Sequence, residues 1–84
     1  MKRIYTSADA YVRVYQGDDG TMYLVTICAG LVFRQLGIIM TTEESAAFVA
    51  DPSSIDLIER SMCHDFEPFR HRQVPMALRP LMND

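Results

Sequence analysis

Two strand-like runs joined by a tight turn, YVRVYQ, GDDG and TMYLVTIC at residues 11–28, determine the architecture of this chain. Both runs are rich in β-branched and aromatic residues and alternate with a period of two, which is typical of β-strands. The GDDG sequence between them supplies residues that tolerate a positive φ, as a hairpin turn requires. The sequence therefore predicts a β-hairpin over these residues.

A third strand-like run, LVFRQLGIIM, follows at residues 31–40. It has the same apolar composition, and Gly37 within it indicates a bulge or a close approach of another backbone. Together the three runs predict a three-stranded antiparallel β-meander over residues 11–40. Residues 1–10 are interpreted as an N-terminal segment outside the sheet.

Two short helices are predicted after the sheet, over residues 41–66. The sequence TTEE at residues 41–44 has the form of a capping box, in which the first threonine and the second glutamate satisfy each other's backbone N–H groups. Pro52 ends this helix, because the residue before a proline avoids helical geometry. Ser53 or Ser54 can cap the second helix, in which apolar residues recur at spacings of three and four: Ile55, Ile58, Met62 and Phe66.

The last segment, residues 67–84, contains three prolines and is predicted to be an extended arm with at most a turn or two. Its apolar side chains would each forgo roughly 1–3 kcal/mol of burial if they stayed in water. The arm is therefore expected to dock on its own sheet or on a neighbouring molecule. The predicted fold is one α+β domain over residues 1–84, with a meander, two helices and this C-terminal arm.

Composition places the chain among globular proteins, since 49% of its residues are hydrophobic and 23% are charged. No apolar run approaches the roughly 20 residues that span a bilayer, and polar residues follow the basic start where a signal peptide needs an apolar run. Two cysteines are fewer than small secreted domains usually carry. These features predict a cytoplasmic protein without membrane contact, with Cys28 buried and neither cysteine in a disulfide.

Charge is unevenly distributed along the chain, whose formal net charge is −3. Residues 41–69 carry seven acidic side chains against Arg60 alone, whereas residues 70–84 carry three arginines against Asp84. This pattern allows contacts between the acidic middle and the basic tail, or between the acidic face and a basic partner. A solvated helical face is the interpretation that the sequence favours over both.

Residues with the chemistry of a catalytic or metal site occur, but not in a diagnostic spacing. Cys63, His64, Asp65 and His71 are zinc-binding residue types without the paired spacing that completes four ligands. A thiol enzyme would need one of these histidines beside a cysteine, and no motif places them together. The sequence therefore predicts no catalytic residue, metal, cofactor or small-molecule ligand, and a small thiol- or metal-dependent enzyme ranks third among the functional hypotheses.

A nucleic-acid-binding module ranks second. Arg70, His71 and Arg72 follow Phe69, and aromatic and guanidinium groups side by side can stack on bases and pair with phosphates. The net negative charge argues against this hypothesis, because proteins that track a nucleic-acid backbone generally carry an excess of cations along the contact.

The leading hypothesis rests on strands that are apolar on both faces. Two short helices can cover only one face of such a sheet, which leaves the other for a homodimer or another protein partner. The sequence thus favours a small non-catalytic protein-interaction domain, acting as a regulator, inhibitor or accessory subunit. The candidate interaction surface comprises Arg70, His71, Arg72, Val74, Met76, Leu78 and Leu81.

Overall fold

The α+β class is confirmed by a computed structural model, which describes residues 1–28 and 34–82. Within these ranges, four antiparallel strands form one sheet in chain order: β1 (Lys2–Thr6), β2 (Val12–Gln16), β3 (Met22–Cys28) and β4 (Arg34–Ile39). They are followed by α1 (Thr42–Ala50), a 3₁₀ turn (Pro52–Ser54), α2 (Ile55–His64) and two 3₁₀ helices (Glu67–Arg72 and Met76–Met82). Residues 31–33 of the predicted third strand lie outside the described residues.

The described sheet has four strands rather than three, because residues 2–6 pair with β2 instead of lying outside the sheet. The register of this pair shifts between Arg3 and Tyr5, and such a bulge breaks the period-two alternation that marks a strand in a sequence. The turn that follows carries Ala10 at φ 64°, a conformation for which glycine is the usual residue. Both sequence signals of a hairpin were therefore missing here.

The β1–β2 and β2–β3 turns are nevertheless built alike. The Asp9 carboxylate accepts a hydrogen bond from the backbone N–H of Tyr11 at 3.0 Å, as the Asp19 carboxylate does from Thr21 at 3.0 Å. In the second turn the left-handed residue is Gly20, at φ 89°. Ala10 holds the equivalent conformation at a cost of about 1 kcal/mol, since its Cβ crowds the backbone there.

Substituting this alanine tests the strain. Ala10→Gly is expected to raise the free energy of unfolding by about 1 kcal/mol, because glycine adopts a positive φ without the Cβ clash. Urea denaturation measures the change. Ala8→Gly is the matched control: Ala8 is exposed in the same turn at a negative φ, so glycine there only adds entropy to the unfolded chain and lowers stability. Equal effects of the two substitutions on the free energy of unfolding would contradict the conclusion that Ala10 is strained at its positive φ.

One face of the sheet is covered by the two helices. The capping box is confirmed at the start of α1, where the Glu44 N–H donates to Thr41 Oγ1 at 3.1 Å and the Thr41 N–H donates to Glu44 Oε1 at 2.9 Å. Of the predicted stripe, Ile55 and Met62 are buried on α2 and Ile58 is partly buried against the same core, whereas Phe66 is buried two residues beyond the end of the helix. The buried residues of this core are Val14, Met22, Leu24, Cys28, Leu36, Ile38, Met40, Phe48, Ile55, Met62 and Phe66.

The start of α2 differs in detail from the prediction. Ser54 precedes the helix but makes no capping hydrogen bond through its side chain. Instead, the Asp51 carboxylate accepts from the backbone N–H of Ser53 at 3.1 Å and begins a short 3₁₀ turn that leads directly into the helix. The cap belongs to this turn, because Pro52 starts it one residue after α1 ends.

Cys28 and Cys63 form a disulfide, so the prediction of two free thiols is wrong. The bond joins the end of β3 to the last turn of α2, with the two Cα atoms 5.4 Å apart. The predicted burial of Cys28 is confirmed, and the packing of α2 on the sheet is what brings the second cysteine within reach. The bond closes a separation of 35 residues, for which the chain-entropy model gives a stabilisation of about 3–4 kcal/mol.

The other face of the sheet is covered by the C-terminal arm of the same chain. Val74 and Met82 are buried there against Tyr15, Tyr23 and Val25. The strands β2 and β3 therefore bury apolar side chains on both faces without needing a second molecule. Self-association stays a prediction, but a bare second face no longer supports it.

The arm is not extended as predicted, because most of its described residues lie in two 3₁₀ helices. Pro68 occupies the first turn of one of them, where its missing N–H has no partner to lose. Pro80 lies inside the other. Prolines thus exclude a regular α-helix here but not the tighter i→i+3 turns, which are used in short pieces.

The arm reaches the second face by crossing the free edge of β4 at Gly37. The Val74 N–H donates to the Gly37 carbonyl oxygen at 2.9 Å, and a Cβ on this glycine would lie only 3.2 Å from Val74 Cγ2. Gly37 pairs with Val25 without a register shift, so the close approach is the correct alternative and the bulge is not.

Two apolar residues of the arm are expected to differ sharply in their effect on stability. Val74 is 4% exposed and Met76 is 77% exposed. Val74→Ala should lower the free energy of unfolding by about 1–3 kcal/mol, whereas Met76→Ala should change it by less than about 0.5 kcal/mol. Thermal unfolding of the two variants measures this, and a large loss for Met76→Ala would show that the arm docks through other contacts.

Candidate interaction site

The residues predicted to form an interaction surface fall into two groups in the structure. Arg70, His71 and Arg72 lie in the 3₁₀ helix Glu67–Arg72, before the chain crosses β4. The apolar residues lie beyond the crossing, where Val74 is buried and Leu78 half-buried, whereas Met76 and Leu81 are exposed. The predicted surface is therefore not continuous, and each group has its own role.

Arg72 is a structural clamp. Its Nη1 donates to the Ile39 carbonyl oxygen at 2.9 Å and to Glu44 Oε1 at 2.6 Å, and its Nη2 donates to Glu44 Oε2 at 3.2 Å. The guanidinium carbon also lies 5.6 Å from the centre of the Phe69 ring. These contacts join the end of β4, the first turn of α1 and the arm, so the guanidinium group is already engaged within the chain.

Arg70 makes a more exposed pair. Its Nη2 lies 3.0 Å from Glu67 Oε1, and its guanidinium carbon lies 6.0 Å from the centre of the Phe66 ring. Together with the clamp, this pair makes the contact between the basic tail and the acidic middle of the chain that the charge pattern allows. Exposed pairs of this kind contribute about 0–1 kcal/mol, so the clamp is the stronger of the two contacts.

The clamp and the capping box share one carboxylate, that of Glu44. Burial alone raises the pKa of Glu44, but hydrogen bonds from Arg72 and from the Thr41 backbone, with the positive charge of Arg72, lower it. The lowering prevails, so the pKa lies below its usual value of 4.5. The ionised form is therefore stabilised by folding.

This shift predicts a pH-dependent contribution to stability. Because the pKa of Glu44 is lower in the folded than in the unfolded protein, its contribution is complete above about pH 4.5 and is lost as the pH falls through the folded pKa. Glu44→Gln should accordingly destabilise the protein at pH 7, and the difference from the parent should shrink at pH 3. Urea denaturation at both pH values measures it.

Glu43→Gln is the matched control for this measurement. Glu43 is an exposed neighbour on α1, and no hydrogen bond or ion pair of its side chain is found within residues 1–28 and 34–82. Its substitution should leave the pH dependence of stability unchanged. A loss at pH 7 of the same size for both variants would show that the clamp adds nothing specific.

A depression of about 630 Å³ lies at the end of α2. It is open to solvent and is lined by Arg60, Ser61, His64, Asp65, Pro68 and Phe69. No hydrogen bond joins its serine, histidine and aspartate side chains among the described contacts. In the part of the chain that the structure covers, no three His, Cys, Asp or Glu side chains are grouped so as to hold a metal ion.

A second depression, about 450 Å³, lies on the face of the sheet that the arm covers. We call it the arm cleft, and it is lined by Arg13, Gln35, Met76, Arg79, Pro80 and Met82. Arg13 comes from β2, where the period-two pattern places it on the same face as Tyr15. Of the residues predicted from the sequence, Met76 lines the cleft. The exposed Leu81 lies in the chain between Pro80 and Met82, which both line it.

Two arginines and no acidic side chain are among the described residues that line the arm cleft. The Nε atom of Arg13 is buried and has no hydrogen-bond partner. Among the described residues, neither Arg13 nor Arg79 forms an ion pair. A buried donor without an acceptor is costly, but this Nε is closed to an external oxygen, and Arg79 is the exposed arginine of the cleft.

Sequence reasoning missed Arg13, Gln35 and Arg79 as site residues. A usable signal was present, since Arg13 is the one charged residue in an otherwise apolar and aromatic strand run. Its period-two position also puts it on the second face of the sheet. What could not be read was the path of the arm, which places Arg79 on that same face.

No protein-family model, curated protein or solved structure matches this chain. Among the described residues, no helix has the length and apolar character needed to cross a membrane.

Proposed function

We propose that this chain is a small non-catalytic protein-interaction domain that binds a partner at the arm cleft. The partner presents a carboxylate beside apolar side chains. The observation that carries this proposal is the combination of two arginines without ion pairs among the described residues, Arg13 and Arg79, with exposed apolar side chains, Met76 and Leu81, in the same region.

The energetics of the arm cleft support binding rather than stability as its role. Met76 and Leu81 are 77% and 55% exposed, and burying a side chain of either type is worth roughly 1.5–3 kcal/mol. The 3₁₀ helix that carries them is held by the buried Met82, so little ordering entropy remains to be lost on binding. A carboxylate of the partner adds a charge-assisted hydrogen bond to the exposed Arg79, and arginines are common among binding hot spots.

The alternative functions have less support from the described geometry. A nucleic-acid site at Arg70 and Arg72 would compete with their contacts to Glu67 and Glu44. A thiol enzyme would need the disulfide between Cys28 and Cys63 to be reduced first. The cysteine count favours the cytoplasm and the disulfide favours an oxidising compartment, and the proposed function requires neither.

A photo-reactive amino acid at Ala77, an exposed position beside Met76, tests the proposal in the cells that make the protein. Illumination should give a discrete cross-linked product. Met76→Glu in the same chain should abolish it, because a second carboxylate repels the partner and the apolar contact is lost. Ala8→Glu, which adds the same charge at an exposed turn on β1, should leave the product unchanged.

Two results would contradict the proposal. One is the absence of a cross-linked product from Ala77. The other is a product that survives Met76→Glu, since it would then form without the arm cleft.

A further inference from the structure

The two sides of this domain differ in charge. The helices α1 and α2, with the turn between them, cover one face of the sheet, and the arm cleft lies on the other. We call the outer surface of these helices the helix face. Its exposed acidic residues are Glu43, Asp51, Asp56 and Asp65, and Arg60 is its exposed cation among the described residues.

The helix face also carries apolar side chains that its own chain leaves in water. Leu57 is 72% exposed and Val49 is 69% exposed, on either side of the 3₁₀ turn between α1 and α2. The residue before Leu57 is Asp56, whose carboxylate has no hydrogen bond or ion pair among the described contacts. The helix face therefore carries both a carboxylate without a partner among the described residues and exposed apolar side chains.

The helix face offers a carboxylate, and no acidic side chain is among the described residues that line the arm cleft. The cleft supplies two guanidinium groups without ion pairs in the described structure and an exposed methionine, and the helix face supplies an unpaired carboxylate and an exposed leucine. The two surfaces cannot meet within one molecule, because the sheet lies between them. They can meet only between two copies.

We propose that the helix face of one copy docks on the arm cleft of the next, so that the domain associates head to tail. Asp56 accepts hydrogen bonds from the exposed Arg79 at the mouth of the cleft, and Leu57 packs against Met76. The proposal rests on the proposed function and names a second copy of this chain as a partner. Since the two surfaces differ, a dimer still has one free helix face and one free arm cleft. Association therefore continues beyond the dimer.

The size of the molecule permits this arrangement. A specific interface of ordinary size buries about 800 Å² on each partner, and the chain exposes 5403 Å² in total. Each copy therefore has room for two such surfaces on opposite sides. A nucleic acid would instead meet the cations on one side only and be repelled by the acidic helix face.

Charge reversal combined with sedimentation velocity tests the proposal. The parent protein should sediment faster as its concentration rises from about 10 μM to 1 mM and should pass beyond the dimer. Asp56→Lys and Arg79→Glu should each stay monomeric, because each places like charges at the contact. Asp56→Lys and Arg79→Glu combined in one chain should recover association, since the pair is restored with its charges exchanged.

Asp18→Lys is the matched control, because Asp18 is exposed in the β2–β3 turn, away from both surfaces, and this variant should associate like the parent. Leu57→Ala should weaken association about tenfold through lost apolar burial. Circular dichroism of each variant confirms that the fold is retained. A parent that stays monomeric at 1 mM, or a combined variant that fails to recover, overturns the proposal.

The cross-link from Ala77 distinguishes a failure of head-to-tail association from a failure of the proposed function. A product of twice the chain mass supports both proposals. A product with a different protein, from a parent that is monomeric, leaves the interaction domain standing and overturns head-to-tail association. Binding of an oligothymidine at the cleft, abolished by Arg79→Glu, overturns both.

Discussion

A sheet that is apolar on both faces must be covered on both faces. This short chain covers both because it crosses once from the helix side of the sheet to the other side. The change occurs at the free edge of β4, where the Val74 N–H donates to the Gly37 carbonyl oxygen and Gln73 bridges Ile38. Just before this point the arm is held to α1 and to β4 by Arg72. The absence of a side chain on Gly37 is what lets the two backbones approach so closely.

The crossing determines what the surface can do. On the first side of the sheet, two helices and the Cys28–Cys63 disulfide leave a closed core beneath an acidic surface. On the second side, a single 3₁₀ helix is too narrow to cover the whole sheet. It buries Val74 and Met82 but leaves a cleft beside Arg13, and its own outer side chains remain exposed. The incomplete cover therefore creates the candidate interaction site.

A structural element could be predicted from the sequence where the residues that determine it lie close together in the chain. The β2–β3 hairpin, the capping box at Thr41 and the apolar stripe of α2 were predictable, because turn chemistry and periodicity act within a few residues. The first strand was missed because a bulge and an alanine in a left-handed turn hide its signals. The disulfide was missed because it depends on the packing of α2 against β3, which no local pattern records.

The candidate site was half predictable for the same reason. Because exposing apolar side chains to water is costly, the sequence predicted that Met76 and Leu81 contact another surface, whatever path the arm takes. Arg70 and Arg72 were also marked, yet both are engaged with acidic side chains of their own chain. Arg13 becomes a site residue only once the arm lies over its strand and shields its Nε from water.

The segregation of charge follows from the same topology. The acidic residues are concentrated in the segment that forms the helices, and the arm that follows carries the balancing arginines. Two of these, Arg70 and Arg72, lie before the crossing and pair with acidic side chains of the same chain. Arg79 lies beyond it, on the far side of the sheet from the helix face. With the arm docked, the sheet separates Arg79 from those carboxylates within one molecule, so a contact between them would need a second molecule.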